Sequence, residues 1–141
     1  MTVQLTRQAD PIARLDLPIE LTNGNEGRTR HYKKSHSQRK KYESIISLIG
    51  GRRTPFDHPV VVVVTRILGR GQAKWDASSF FRGNYKEIED AMVALGWFAD
   101  DSPKWIPLVI AVQDGNARKG NVRAEPSIRI EIFNAVDIEL S

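Results

Sequence analysis

Three carboxylates and one lysine are spaced so that metal-assisted chemistry is conceivable. Asp76 precedes a helical pattern, Lys86 lies inside it, and Asp100 and Asp101 follow it. Magnesium is a hard cation that takes oxygen ligands, commonly one or two carboxylates with several retained waters. A lysine beside such a site steadies a phosphate or a developing negative charge. A plainer reading fits the same residues. Asp-Asp followed by Ser-Pro is good turn chemistry, and Lys86 with Asp90 is an i,i+4 pair suited to an exposed salt bridge. Glu87 and Glu89 add further acids to the helix. The acids at its two ends meet only where the fold brings those ends to a common place.

The elements that must do so are readable from hydrophobic spacing. Phe81, Tyr85, Ile88, Met92 and Leu95 recur at steps of four, three, four and three, which puts them on one helix face. Gly96 supplies the stop. Val60–Leu68 holds five consecutive valines and predicts a central strand covered on both faces. Ile12–Ile19 predicts a strand that ends at an edge or bend at Pro18. Ile106–Val112 and Ile128–Phe133 predict two more, joined by a glycine- and charge-rich connection over Gln113–Glu125.

A first helix is expected from Ser35, where Ser35 and Gln38 form the S-x-x-Q capping pattern. Gln38, Tyr42, Ile45, Ile46 and Ile49 mark its buried stripe, and Gly50-Gly51 ends it. The order predicts an α/β (α+β) protein: one domain over residues 1–141, with a mixed β-sheet of about four strands flanked by two main helices. Residues 1–11 and 134–141 are expected to be weakly ordered ends. Two helices cannot cover both faces of such a sheet, which leaves part of one face for an oligomer contact.

Composition narrows the function classes. Hydrophobic residues make up 40% and charged residues 27%, as in ordinary soluble domains. The chain has no cysteine, which excludes disulfides, thiolate metal sites and a cysteine nucleophile. The longest apolar run, Val60–Val64, is too short to span a bilayer, and no signal-peptide pattern opens the chain, so a cytoplasmic location is expected. His31, His36 and His58 lack zinc-motif spacing. No phosphate-binding glycine loop or nucleophile elbow is present.

The net charge of +4 is unevenly spread. Between Arg28 and Arg53 stand nine Lys or Arg and one acid, Glu43. Arg28, Arg30, Lys33, Lys34, Arg39, Lys40 and Lys41 are therefore candidate contacts to a polyanion such as DNA, with His31 and Tyr32 interleaved as flat rings. A solvated face that needs charge for solubility is the alternative.

The helix and its sequel, YKEIEDAMVALGWFADD, resemble the signature region of the RusA-like family of Holliday-junction resolvases. That family carries a lysine early in a helix, an acid four residues later, and a Gly–aromatic–aromatic–x–Asp–Asp ending. Lys86, Asp90, Gly96, Trp97, Phe98, Asp100 and Asp101 match in register. LPIEL near residue 17 with Asn23 and the basic loop, the PVVVVV strand and the closing SIRIEIF strand follow in family-like order. The family's D-x-D-N before the helix is altered to Asp76-Ala77-Ser78-Ser79, with about four extra residues before Lys86.

The resemblance implies a homodimer that binds branched double-stranded DNA and resolves four-way junctions with Mg²⁺, or with Mn²⁺ in its place. It implies metal binding by Asp76, Asp100 and Asp101, with Lys86 as a fourth catalytic residue. Ser78, a neutral and weaker ligand than the aspartate it replaces, motivates an alternative: a junction-binding protein of the same fold with weakened or lost cleavage.

Overall fold

The computed structural model describes residues 3–5, 10–24, 32–115 and 125–140, with side chains over 10–24, 36–115 and 125–138. The strands are β1 (Val3–Leu5), β2 (Ala13–Leu17), β3 (Val60–Ile67), β4 (Leu108–Asp114), β5 (Ser127–Asn134) and β6 (Ile138–Leu140). The helices are α1 (Tyr32–Gly50) and α2 (Tyr85–Ala94). Four strands form a mixed sheet in the order β2-β5-β3-β4, and β1 pairs with β6 apart from it. No helix among the described residues is long and apolar enough to cross a membrane.

The valine strand lies inside the sheet, as five β-branched residues in a row require. It pairs antiparallel with β5 and parallel with β4. A parallel pair cannot be joined by a hairpin, so the chain must cross over between β3 and β4. That crossover contains α2. One sheet face presents Val60, Val62 and Val64 in register with Ile132 and Ile130 of β5, and this face receives both helices. Tyr42 and Ile46 of α1 and Ile88, Ala91 and Met92 of α2 complete one buried cluster.

The other face carries Val61 and Val63, together with an ionic row in which Arg14 and Arg129 reach Asp16 at 3.0 and 3.1 Å. The sheet and both helices match the expected architecture. Several local expectations change. The α1 helix begins at Tyr32, so Ser35 lies in its interior and the S-x-x-Q pattern does not mark its start. Ile49 is 46% exposed, because the stripe turns away from the sheet in the last turn. Phe81 precedes α2 in a turn and is 44% exposed, so the inward stripe runs from Tyr85.

Strand β4 starts after Pro107, which has no N–H for the ladder, and extends to Asp114 because Gln113 and Asp114 still pair with Arg66 and Ile67. The stretches expected as loose ends contain β1 and β6, which pair antiparallel.

Asn84 ties these layers together, a role that its position just before α2 conceals. Asparagine there suggests an N-cap, yet its side chain makes no cap bond. Instead its carbonyl accepts from Thr22 N at 2.8 Å, and its amide donates to Glu20 O and to Tyr42 Oη, each at 2.8 Å. Asn84 is 1% exposed, so these partners have no water to replace it. Beside it, a Cβ on Gly83 would lie 1.8 Å from Thr22 O, so the chain approaches more closely than any larger residue allows.

Leaving a buried polar group unpaired costs on the order of 1–3 kcal/mol. Asn84→Ala is therefore expected to destabilise the fold by about 2–4 kcal/mol, measured by urea unfolding. A loss under about 0.5 kcal/mol, typical of a surface site, would show that this hub does not hold the layers.

Candidate functional site

Helix α2 turns its apolar stripe inward, which leaves Lys86, Glu89 and Asp90 on its outer side. Three- and four-residue spacing stacks the two acids one turn above the lysine. Lys86 Nζ lies 3.0 Å from Asp90 and 3.8 Å from Glu89. It also donates a hydrogen bond to Asp101, which arrives from beyond the far end of the helix.

That meeting depends on a sharp reversal. Ten helical residues rise about 15 Å, and the six residue-to-residue steps from Leu95 to Asp101 can span about 20 Å when extended. The return is therefore feasible only if the helix stops cleanly. Gly96 N donates to Val93 O and Trp97 N to Met92 O, the paired bonds of a left-handed helix terminator. Gly96 has φ +84°, and a Cβ there would meet Arg53 O at 1.9 Å. Buried Trp97 and Phe98 then fasten the returning chain. Trp105 N and Ile106 N both donate to Ser102 O and close the following turn.

Asp100 is exposed, and its Oδ1 accepts from Asp101 N at 2.7 Å, which fixes the turn that aims Asp101. The electrostatics follow the geometry. The hydrogen bond to Asp101 foremost, with help from Asp90, raises the Lys86 ammonium well above the ordinary lysine range. The same bond holds Asp101 below the usual carboxylate range. Burial pushes Glu89 up, against a hydrogen bond from the Tyr85 hydroxyl and the charge of Lys86. Burial likewise pushes the Tyr85 phenol well up, and the Glu89 charge adds to it. With the Lys86 side chain 59% exposed, its ion pairs are solvent-screened and worth about 0–1 kcal/mol each. They position charge more than they stabilise the fold.

Asp76 is held differently. It opens a single 3₁₀ turn at Ala77–Ser79, and its backbone carbonyl accepts from Ser79 N at 3.0 Å. Trp75 on one side and Phe80, 1% exposed, on the other anchor the segment. The Asp76 side chain makes no cap bond, and Ser78 beside it is exposed. Lys86 and Asp101 are thus brought together, Asp100 braces them, and no hydrogen bond or ion pair links Asp76 to them.

Among the described residues, no three His, Asp or Glu side chains are gathered so as to hold a metal ion by themselves. Asp100 and Asp101 do provide the hard oxygen donors that Mg²⁺ prefers, and Mg²⁺ commonly completes its shell with water and substrate phosphate.

Of the basic candidates, Arg28 and Arg30 and the side chains of Lys33 and Lys34 lie outside the described residues. Arg39 meets His36 through Nη2 at 3.3 Å, Lys40 pairs with Glu43 at 3.5 Å, and Lys41 is exposed.

Two features escaped the sequence reading. One is the Asn84 hub. The other is Arg66, a cation closing the valine strand and 3% exposed. A charge at the end of so apolar a run was the available signal, because buried charge requires partners. No protein-family model matches the chain, and no curated protein matches it.

The sign of the Lys86–Asp101 coupling can be checked directly. Asp101 contributes stability above its ordinary 3.8, and loses it as pH falls through its lowered midpoint. Lys86 contributes below its ordinary 10.5, and loses it as pH rises through its raised midpoint. In Lys86→Met the Asp101 carboxyl midpoint, followed by carbon-13 NMR, is expected to move upward. An unmoved midpoint would show that the ammonium does not govern Asp101.

Proposed function

We propose that this chain is a Mg²⁺-dependent, structure-specific DNA endonuclease that resolves four-way junctions in recombination and repair. The observation that carries the reading is the return of Asp101 across the length of α2 to Lys86. It supports the resemblance of YKEIEDAMVALGWFADD to the RusA-like resolvases, whose function depends on residues at both ends of this helix. Cytoplasmic DNA is the substrate, and two copies of the chain form a homodimer, so that paired sites cut two strands symmetrically.

Charge explains why a cation belongs in the reaction. Lys86 offers one positive charge against Glu89, Asp90 and Asp101. A phosphodiester approaching that surplus is repelled until a cation offsets it. Asp100 and Asp101 would hold Mg²⁺, with Asp76 as the distal ligand from the turn that precedes α2. Bound Mg²⁺ supplies a water of lowered pKa and neutralises charge on the scissile phosphate.

Lys86 keeps its proton throughout the neutral range and donates to a phosphate oxygen or to the departing oxygen. Asp90, one turn further along α2, keeps the lysine chain extended toward the site. Arg28, Arg30, Lys33, Lys34, Arg39, Lys40 and Lys41 follow the DNA backbone and contribute affinity more than sequence choice.

Ser78 and the unbonded Asp76 favour one further reading. With serine where a second aspartate is expected, and with Lys86 already between Asp90 and Asp101, the protein would bind junctions without cutting them.

A synthetic four-way junction separates the two. Nicking is expected with Mg²⁺ or Mn²⁺ and not without, and Asp101→Asn is expected to lower it by about 100-fold or more, the usual scale for losing one group that stabilises transition-state charge. Tight binding without nicking in either metal would select the second reading. Replacing both Lys40 and Lys41 with Gln is expected to flatten the slope of log affinity against log salt by about 1.8, near 0.9 for each lost phosphate contact. An unchanged slope would remove these lysines from the DNA interface.

A further inference from the structure

A cavity of about 260 Å³ opens between the segment that follows β2 and the turn that follows β3. Glu20, Thr22 and Asn23 form one wall, and Arg66, Gln72 and Trp75 the other. Its place is set by the fold. Arg66 shares a register row with Ile128 and Gln113, so its side chain lies on the helix-bearing face of the sheet. Arg66 stands two residues beyond Val64, the last β3 residue in the apolar cluster.

The Arg66 guanidinium lies 3.5 Å over the Trp75 ring, and Nη1 donates to Ala73 O and Gln113 Oε1, each at 3.0 Å. Burial lowers the pKa of Arg66 and the charge of Glu20 raises it, and an arginine so placed remains a cation.

The walls are built before any ligand arrives. Gln113 accepts from Trp75 N at 2.8 Å and donates to Trp75 O at 2.9 Å, which clips the tryptophan to β4. Gln72 accepts from Gly69 N and donates to Glu20, each at 2.8 Å, which joins the two walls. A preorganised cavity of this sort loses little freedom on binding.

Three properties define the occupant. One guanidinium and one carboxylate leave the lining without net charge, so neither a free anion nor a free cation is matched. The volume falls just under the roughly 300–1,000 Å³ of drug-sized sites, which is room for one ring system. The cavity offers the partly exposed Trp75 ring, backed by the buried Arg66 guanidinium, beside a carboxylate acceptor. Aromatic stacking with edge hydrogen bonds is how proteins hold unstacked bases.

We propose that this cavity receives a single unpaired nucleobase of a DNA substrate, laid against the Trp75–Arg66 pair and read at its edge by Glu20. This rests on the DNA reading above and extends it. Trp75 is the residue before Asp76, so a base held here fixes the strand next to that carboxylate. Glu20 accepts from an exocyclic amino group, so adenine, cytosine and guanine are favoured over thymine, which has none.

The test uses the full chain without divalent metal, so that binding is read without cutting. Four-way junctions with one unpaired nucleotide at the branch point, bearing cytosine, thymine or no base, are titrated by fluorescence anisotropy. Removing the base is expected to weaken binding about ten-fold, within the range for one base–aromatic stack. Cytosine is expected to bind more tightly than thymine, and Glu20→Gln to erase that difference while leaving affinity for the abasic junction unchanged. Glu20 is exposed and glutamine can still accept from Gln72, so the variant is expected to melt with the wild type.

Equal affinity for abasic and base-bearing junctions would overturn the proposal alone. A cytosine–thymine difference that survives Glu20→Gln would overturn the role of Glu20. Absence of binding to all three junctions would overturn the DNA reading, and this proposal with it.

Discussion

A parallel strand pair at one edge of a small sheet imposes a crossover, and most of this protein follows from how that crossover is packed. The valines of β3 need cover, and β4 must run beside β3 in the same direction. The intervening chain therefore has to traverse the sheet face and come back. Helix α2 makes the traverse with Ile88, Ala91 and Met92 buried against that face. Its reversal at Gly96 makes the return, bringing Asp101 to the start of the helix that it follows in sequence. The candidate site is thus a by-product of topology, since the chain that reaches β4 must pass beside Lys86.

Electrostatics gives this juxtaposition chemical content. Three carboxylates around one exposed ammonium form a poor stabiliser of the fold, because solvent screens such pairs. Their surplus of negative charge is what a divalent cation and a phosphodiester can share. The same chain concentrates positive charge in another stretch of sequence, from Arg28 to Lys41. Cations at a helix N-terminus oppose the helix dipole by a few tenths of a kcal/mol each, a cost that contact with a polyanion would offset under the proposed function. Acid and base are therefore concentrated in different stretches of the sequence, as expected if one set grips DNA and the other acts on it.

The sequence disclosed the elements whose signal is periodic. The valine run, the stripe of Ile88, Met92 and Leu95, and the glycine stop at Gly96 all carried their structure locally. The pairing of Lys86 with Asp101 was legible only as a possibility, because it depends on a turn whose geometry comes from buried Trp97 and Phe98. Asn84 and Arg66 were unread for the same physical reason. A polar residue joining three distant segments has no periodicity, and its partners at Glu20, Tyr42 and Gln113 lie far away in sequence. Phe81 erred the other way, since it fits the helical spacing but stands before the first turn of α2. Ser35 fits a capping pattern, yet the helix continues through it to Tyr32.

Metal placement is the most direct test of the central claim, that residues joined by the α2 crossover form a site for divalent-metal chemistry on DNA. Mn²⁺ titrated into nitrogen-15-labelled protein bound to a four-way junction broadens the amides nearest to it. The account predicts that the amides of Asp100 and Asp101 broaden first among the described residues, ahead of the β2–β5 ionic row at Arg14, Asp16 and Arg129. Broadening that starts at that row, or that leaves Asp100 and Asp101 sharp at saturating Mn²⁺, would contradict it.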